Sequence, residues 1–141
     1  MKYPATFKRY IRNVCNQLRI QFFCGEFELE IKFEDEKDHV VAAIRSDFKY
    51  LRLTVFVHPP VLRMYRANEF KEIGEALTHE FSHILTDPIY FIAIDAVNNS
   101  TQKFLEETRE RQTQRIANII FPNIPKRIYI PTKLGPAKKN H

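Results

Sequence analysis

The stretch from Asn68 to Asp87, NEFKEIGEALTHEFSHILTD, decides the fold. Its apolar residues recur at helical spacing. With Leu77 set at zero and about 100° per residue, Phe70, Ile73, Phe81 and Ile84 fall within about 40° of it and form a stripe to bury. Asn68 is a suitable N-cap, and Glu69 and Glu72 suit the positive end of the helix dipole. Asp87-Pro88 is expected to stop the helix at about Thr86, and an Asp before Pro more simply ends a helix than serves a neighbour. Within this helix His79-Glu80-Phe81-Ser82-His83 reads H-E-x-x-H. Residues four apart stand one turn apart on one face, so both imidazoles can reach a single ion. Glu80 lies about 60° to one side of the stripe, His83 about 120° and His79 about 160° on that same side. The three therefore flank the buried stripe and face a cleft.

Neutral imidazoles suit Zn²⁺, which draws the pKa of a bound water towards 7. Glu80 is then the candidate general base, taking a proton from that water and passing it to the leaving amine. A catalytic zinc takes a third protein ligand. His39 stands in an acidic turn, His58 ends a strand and His141 ends the chain. No Gly or His follows between Ile84 and Tyr90, so the H-x-x-G-x-x-H continuation is absent. The remaining choice is a carboxylate on the next helix, expected over about Thr101–Phe121 with Ser100 or Thr101 as cap. With Ile116 at zero, Leu105, Thr113 and Ile120 mark its buried side, Glu106 lies near 80° and Glu110 near 120°, and Glu107 points away. Phase leaves Glu106 and Glu110 both open as ligands. It also sets Arg109 near the buried side, which requires a buried acid as partner or a side chain that snorkels.

Upstream, Ala5–Phe22 reads as an amphipathic helix burying Phe7, Ile11, Val14 and Leu18, with Cys15 beside that stripe. Residues 26–34 alternate as a half-buried strand, residues 40–44 form a second and residues 50–58 a third, ended by Pro59-Pro60. Short connections favour an antiparallel meander. Val61–Arg66 is a short helical turn. The run 34–38 is a solvated acidic turn without the glycine and ligand spacing of a calcium loop. Pro122, Pro125, Pro131 and Pro136 break up the C-terminus, so residues 1–124 are expected to form the domain and 125–141 an extended, partly disordered basic tail.

The 141 residues suit one domain with its own core. At 44% hydrophobic and 28% charged they exclude a disordered chain, and three glycines leave no glycine-rich phosphate loop. No run is long enough to span a membrane, and the N-terminus lacks the apolar stretch of a secretory signal. Two cysteines make no disulfide framework, which points to a reducing compartment. The net charge of +5 raises nucleic acid as a partner but does not favour it, because the basic residues are spread out, apart from a tail cluster of Lys133, Lys138 and Lys139. The charge also suits acidic partners.

His79–Pro88 followed by Glu110-Arg111-Gln112-Thr113-Gln114-Arg115-Ile116-Ala117 resembles the small phage- and prophage-type zincin-like metallopeptidases, which share the catalytic core of thermolysin-type gluzincins. The resemblance implies a minimal α+β zincin fold: an N-terminal helix, a small mostly antiparallel three-stranded sheet, the motif helix and a C-terminal helix with the third ligand. It implies one Zn²⁺ held by His79, His83 and Glu110, with Glu106 as the runner-up. It further implies a zinc metalloendopeptidase acting on a peptide or protein in the cytoplasm of a bacterial or phage-infected cell; the sequence leaves the oligomeric state open, with a monomer as the default. Asp87 could bond a ligand histidine, and Tyr90 or His58 could stabilise the oxyanion. A substrate strand could add along Arg52, Thr54 and Phe56 of the third strand. The family commonly places an acid four residues after its ligand Glu to orient a zinc histidine, and here that position is Gln114. The rival activities are hydrolysis of another amide, such as a cell-wall crosslink, and a non-catalytic zinc-binding phage or regulatory protein associated with nucleic acid.

Overall fold

A computed structural model describes residues 2–35 and 39–132. The elements run α1 (Ala5–Gln21), β1 (Glu28–Phe33), β2 (Ala42–Asp47), β3 (Arg52–Val57), α2 (Pro59–Arg66), α3 (Phe70–Ile94), α4 (Asn99–Ile120), a 3₁₀ turn over Phe121–Asn123 and α5 (Lys126–Tyr129). The class is α+β. The residues of the acidic turn at 36–38 and of the tail at 133–141, with Lys133, Lys138, Lys139 and His141, lie outside the described residues.

The apolar stripes land where their periods require. Phe7, Ile11, Val14, Cys15 and Leu18 of α1 are buried, as are Ile73, Leu77, Phe81 and Ile84 of α3. Phe22, at the end of α1, packs its ring against Phe81 at 5.9 Å. Cys15 and Cys24 are free buried thiols, and burial pushes Cys15 up to about 12, which leaves it an inert apolar side chain.

The sheet corrects the expected meander. Its order is β1-β3-β2, with β1 parallel and β2 antiparallel to β3. Period-two alternation says which face a residue takes and is silent on which strand lies alongside. The short turn at 48–51 forces β2 and β3 into a hairpin, and β1 pairs with the other side of β3. The strand richest in apolar residues takes the centre: Leu53, Val55 and Val57 are fully buried. The charged strands stay outside, with Glu28 and Glu30 on β1 and Arg45 and Asp47 on β2, a disposition that discourages edge-to-edge association.

Proline reads differently in the structure at three places. Pro59 and Pro60 end β3 as expected, but they also open α2, where a missing N–H costs nothing. Pro88 does not stop α3, which runs on to Ile94. Directly after Pro125 the chain is not extended: α5 forms over Lys126–Tyr129, and Ile128 and Tyr129 are buried in the core. The Tyr10 hydroxyl donates to the Tyr129 carbonyl, fastening this segment to α1.

Tyr129 lies flat over Gly74 of α3. A Cβ at Gly74 would stand 2.7 Å from Cγ of the Tyr129 ring and 3.0 Å from both Cδ atoms. Gly74→Ala should gain about 1 kcal/mol of helix propensity and lose more by displacing the ring. Urea denaturation is expected to show net destabilisation of about 1–3 kcal/mol.

Candidate metal centre

α3 carries His79, Glu80 and His83 past β2 on one side and α4 on the other. His83 is buried, while His79 and Glu80 are partly exposed along the cleft. α4 returns antiparallel to α3 and sets Glu110 opposite both imidazoles. Its N-terminus is fixed by Asn98, whose side chain accepts from the Thr101 amide; the cap is thus Asn98, two to three residues before the expected Ser100 or Thr101. Glu110 Oε2 stands 3.4 Å from His79 Nε2, and Glu110 Oε1 stands 3.3 Å from His83 Nε2. One ligand atom from each of the three lies within 4.8 Å of the others, a cluster that could hold a metal ion. Glu106 goes elsewhere, accepting from the Tyr90 hydroxyl at 3.2 Å.

The surroundings of the two histidines differ. His83 Nδ1 faces Asp87 Oδ1 at 3.2 Å and Thr113 Oγ1 at 3.4 Å. Thr113 gives its own hydrogen to the Arg109 carbonyl at 2.8 Å, so both neighbours present acceptors to Nδ1. The His83 proton therefore belongs on Nδ1, and the Nε2 lone pair points towards Glu110. Asp87 is only 2% exposed. Burial alone would raise its carboxyl, but hydrogen bonds from His83 and Arg109 and their charges outweigh it and hold Asp87 below the usual carboxylate range. This bonding, together with the packing of α4, explains why the helix survives Pro88, whose ring removes one bond to the Ile84 carbonyl. Asp87 is a partner of His83, contrary to the simpler reading as a helix stop. His79 Nδ1 is buried with no hydrogen-bond partner among the described residues. Gln114, at the position where the resemblance expects an orienting acid, donates instead to Asn118 at 2.7 Å.

Glu80 sits between the cluster and the sheet. Burial pushes its carboxyl up to about 7; Glu110 adds to this, while His83, the backbone amide of Ile44 and Arg109 pull the other way. The Ile44 contact ties Glu80 to β2. The His58 amide donates to the Val41 carbonyl, so Val41 turns its main chain towards β3, and by alternation Ala42, Ile44 and Ser46 turn theirs outward. A cleft of about 520 Å³ runs along this edge, walled by Val41 and Ala42 on one side and by Glu72, Glu75, His79 and Glu80 on the other. His39 also lines it. The wall contributed by α3 is acidic, so a preference for acidic partners read from the net charge does not extend to the cleft.

The other candidate residues fall as follows. β3 is the central strand, paired on both sides, so Arg52, Thr54 and Phe56 offer no free edge; the free edge beside the cluster is β2. His58 is 1% exposed at the junction of β3 and α2, inside the core and away from the cleft surface. Tyr90 directs its hydroxyl to Glu106 and its ring to Arg109. Neither residue faces the cleft as an oxyanion donor would. The residues that sequence reasoning left without a role are Arg109, Thr113 and the β2 edge; the signal for Arg109 was its phase near the buried side of α4. No family model, no curated protein and no solved structure matches this chain.

Proposed function

We propose that this chain is a zinc-dependent metallopeptidase that hydrolyses peptide bonds. One observation carries the reading: the convergence of the donor atoms. His79 Nε2 lies 3.4 Å from one oxygen of the Glu110 carboxylate and His83 Nε2 lies 3.3 Å from the other, and one ligand atom from each of the three residues lies within 4.8 Å of the others. Two imidazoles and a carboxylate brought this close are a donor set that suits a zinc ion between them. A zinc ion bound there supplies a water acidified towards pH 7 and an electrophile for the carbonyl oxygen.

The rest is the work of the chain's own residues. His83 offers Nε2 because Asp87 and Thr113 hold its proton on Nδ1. Glu80 has a carboxylate beside the cluster to take a proton and return it to the departing amine. The outward main chain of β2 offers a peptide a strand to pair with, and Ala42 and Ser46 flank the Ile44 amide that Glu80 engages. A purely structural metal site would have no use for a buried carboxyl at position 80, which favours the catalytic reading over a metal-binding regulator. Among the described residues no helix is long and apolar enough to cross a membrane.

The test is metal analysis of protein expressed in zinc-replete medium, joined to peptide hydrolysis. About one zinc per chain and cleavage of an unstructured protein, abolished by a chelator and restored by zinc, are expected. A metal-free product with no affinity for added zinc would refute the proposal.

A further inference from the structure

We propose that Arg109 is a positioning residue for the metal site, acting through Asp87 on the ring of His83. The inference rests on the reading of His79, His83 and Glu110 as metal ligands and adds a control on one of them. Arg109 immediately precedes Glu110 on α4, so one turn delivers both a ligand and the clamp for another ligand. Its Nε donates to Asp87 Oδ1 at 2.7 Å, the same oxygen that faces His83 Nδ1 at 3.2 Å. A nearly buried carboxylate held by donors on two helices cannot turn about its own bond. The His83 ring, hydrogen-bonded to it, keeps its plane and its tautomer.

Arg109 is itself held. Its guanidinium carbon lies 4.6 Å from the centre of the Tyr90 ring and 5.7 Å from that of Phe91. The Tyr90 hydroxyl is in turn bonded to Glu106. Glu106, one turn before Glu110, thereby anchors the outer end of a chain running Glu106, Tyr90, Arg109, Asp87, His83. Without Arg109, Asp87 keeps one donor and the ring gains freedom to swing towards Thr113. His79 has no counterpart, since its Nδ1 lacks a partner among the described residues. The preorganisation of the site therefore depends on this one chain. Lysine would not substitute: it has neither a planar face for Tyr90 nor an Nε–H at the same reach.

The test is a double-mutant cycle read by zinc affinity in chelator competition and by the visible absorption of the cobalt(II)-loaded protein. Arg109→Met and Arg109→Lys are each expected to weaken zinc binding about 10–100-fold and to alter the cobalt spectrum. In an Asp87→Ala background, which removes the oxygen that both His83 and Arg109 engage, Arg109→Met is expected to add little further loss, because the effect travels through Asp87. Wild-type zinc affinity and an unchanged cobalt spectrum in Arg109→Met would overturn the inference while leaving the ligands in place. Full additivity of the two substitutions would also overturn it, as the mark of a merely structural role. Failure of the wild-type chain to bind zinc or cobalt would overturn the ligand assignment itself. Should Arg109→Met not fold, Tyr90→Leu removes the ring over Arg109 without stranding a buried charge. It should weaken zinc binding about two- to fivefold, and wild-type affinity there would equally count against the role of Arg109.

Discussion

Glu80→Gln is expected to bind zinc as the wild type does and to hydrolyse peptide about 10²–10⁴-fold more slowly. The amide keeps the size of the carboxyl and can still accept from the Ile44 amide, so the cleft should hold its shape. What it loses is the ability to receive a proton. The outcome is read by kcat with zinc content measured on the same sample; hydrolysis at the wild-type rate in a zinc-loaded variant would rule out Glu80 as the base. The same substitution has a second consequence, independent of activity. In the metal-free protein burial pushes Glu80 up to about 7 from an ordinary 4.5. Its folded pKa thus lies above its unfolded one, so the folded chain retains a proton that the unfolded chain has released. The stability this contributes is fully present below about pH 4.5 and is lost as pH rises through about 7. Metal-free wild type should therefore lose stability relative to Glu80→Gln across that window, by up to about 3 kcal/mol, measured as the difference between their denaturation midpoints. Parallel pH profiles for the two proteins would show that Glu80 is not buried as described.

The motif helix was legible in the sequence because one period governs everything that matters about it. The stripe of Ile73, Leu77, Phe81 and Ile84 sets the rotation of α3, and that rotation carries His79, Glu80 and His83 to the rim of the core. The same reasoning applied to α4 left Arg109 in need of a buried acid, and the structure supplies Asp87. It could not choose between Glu106 and Glu110, since 40° on a helical wheel is smaller than the freedom of two flexible side chains. What periodicity does not encode is which elements are neighbours. With β3 at the centre the free edge moves to β2, whose own apolar signal is weaker. The prolines misled for a related reason. A proline removes one donor, and whether that loss ends a helix depends on tertiary contacts: Asp87 and α4 offset it at Pro88, and at Pro125 the chain is only just entering a helix.

The choice between the two carboxylates becomes a large and opposite pair of effects in solution. Glu110→Ala is expected to lose zinc on dialysis against a weak chelator, because two histidines alone leave the ion a bidentate protein site. Glu106→Ala is expected to retain about one zinc per chain. Glu106 touches the Tyr90 hydroxyl rather than the imidazoles, so its removal only loosens the outer end of the chain that reaches His83. His79→Ala and His83→Ala should behave as Glu110→Ala does, and all three should be less protected from thermal unfolding by added zinc than the wild type. That protection follows from binding to the folded state alone and grows with the ratio of free zinc to its dissociation constant; zinc at a hundred times that constant is worth about 2.7 kcal/mol. The discriminating variable is thus the zinc-dependent part of the melting temperature, not its absolute value, which each substitution can also change by altering packing. Zinc protection preserved in Glu110→Ala and lost in Glu106→Ala would reverse the assignment. It would also require α4 to turn by roughly 40° and slide by about 6 Å along its axis, withdrawing Arg109 from Asp87, so the Arg109→Met substitution made in parallel would then have no effect on zinc affinity.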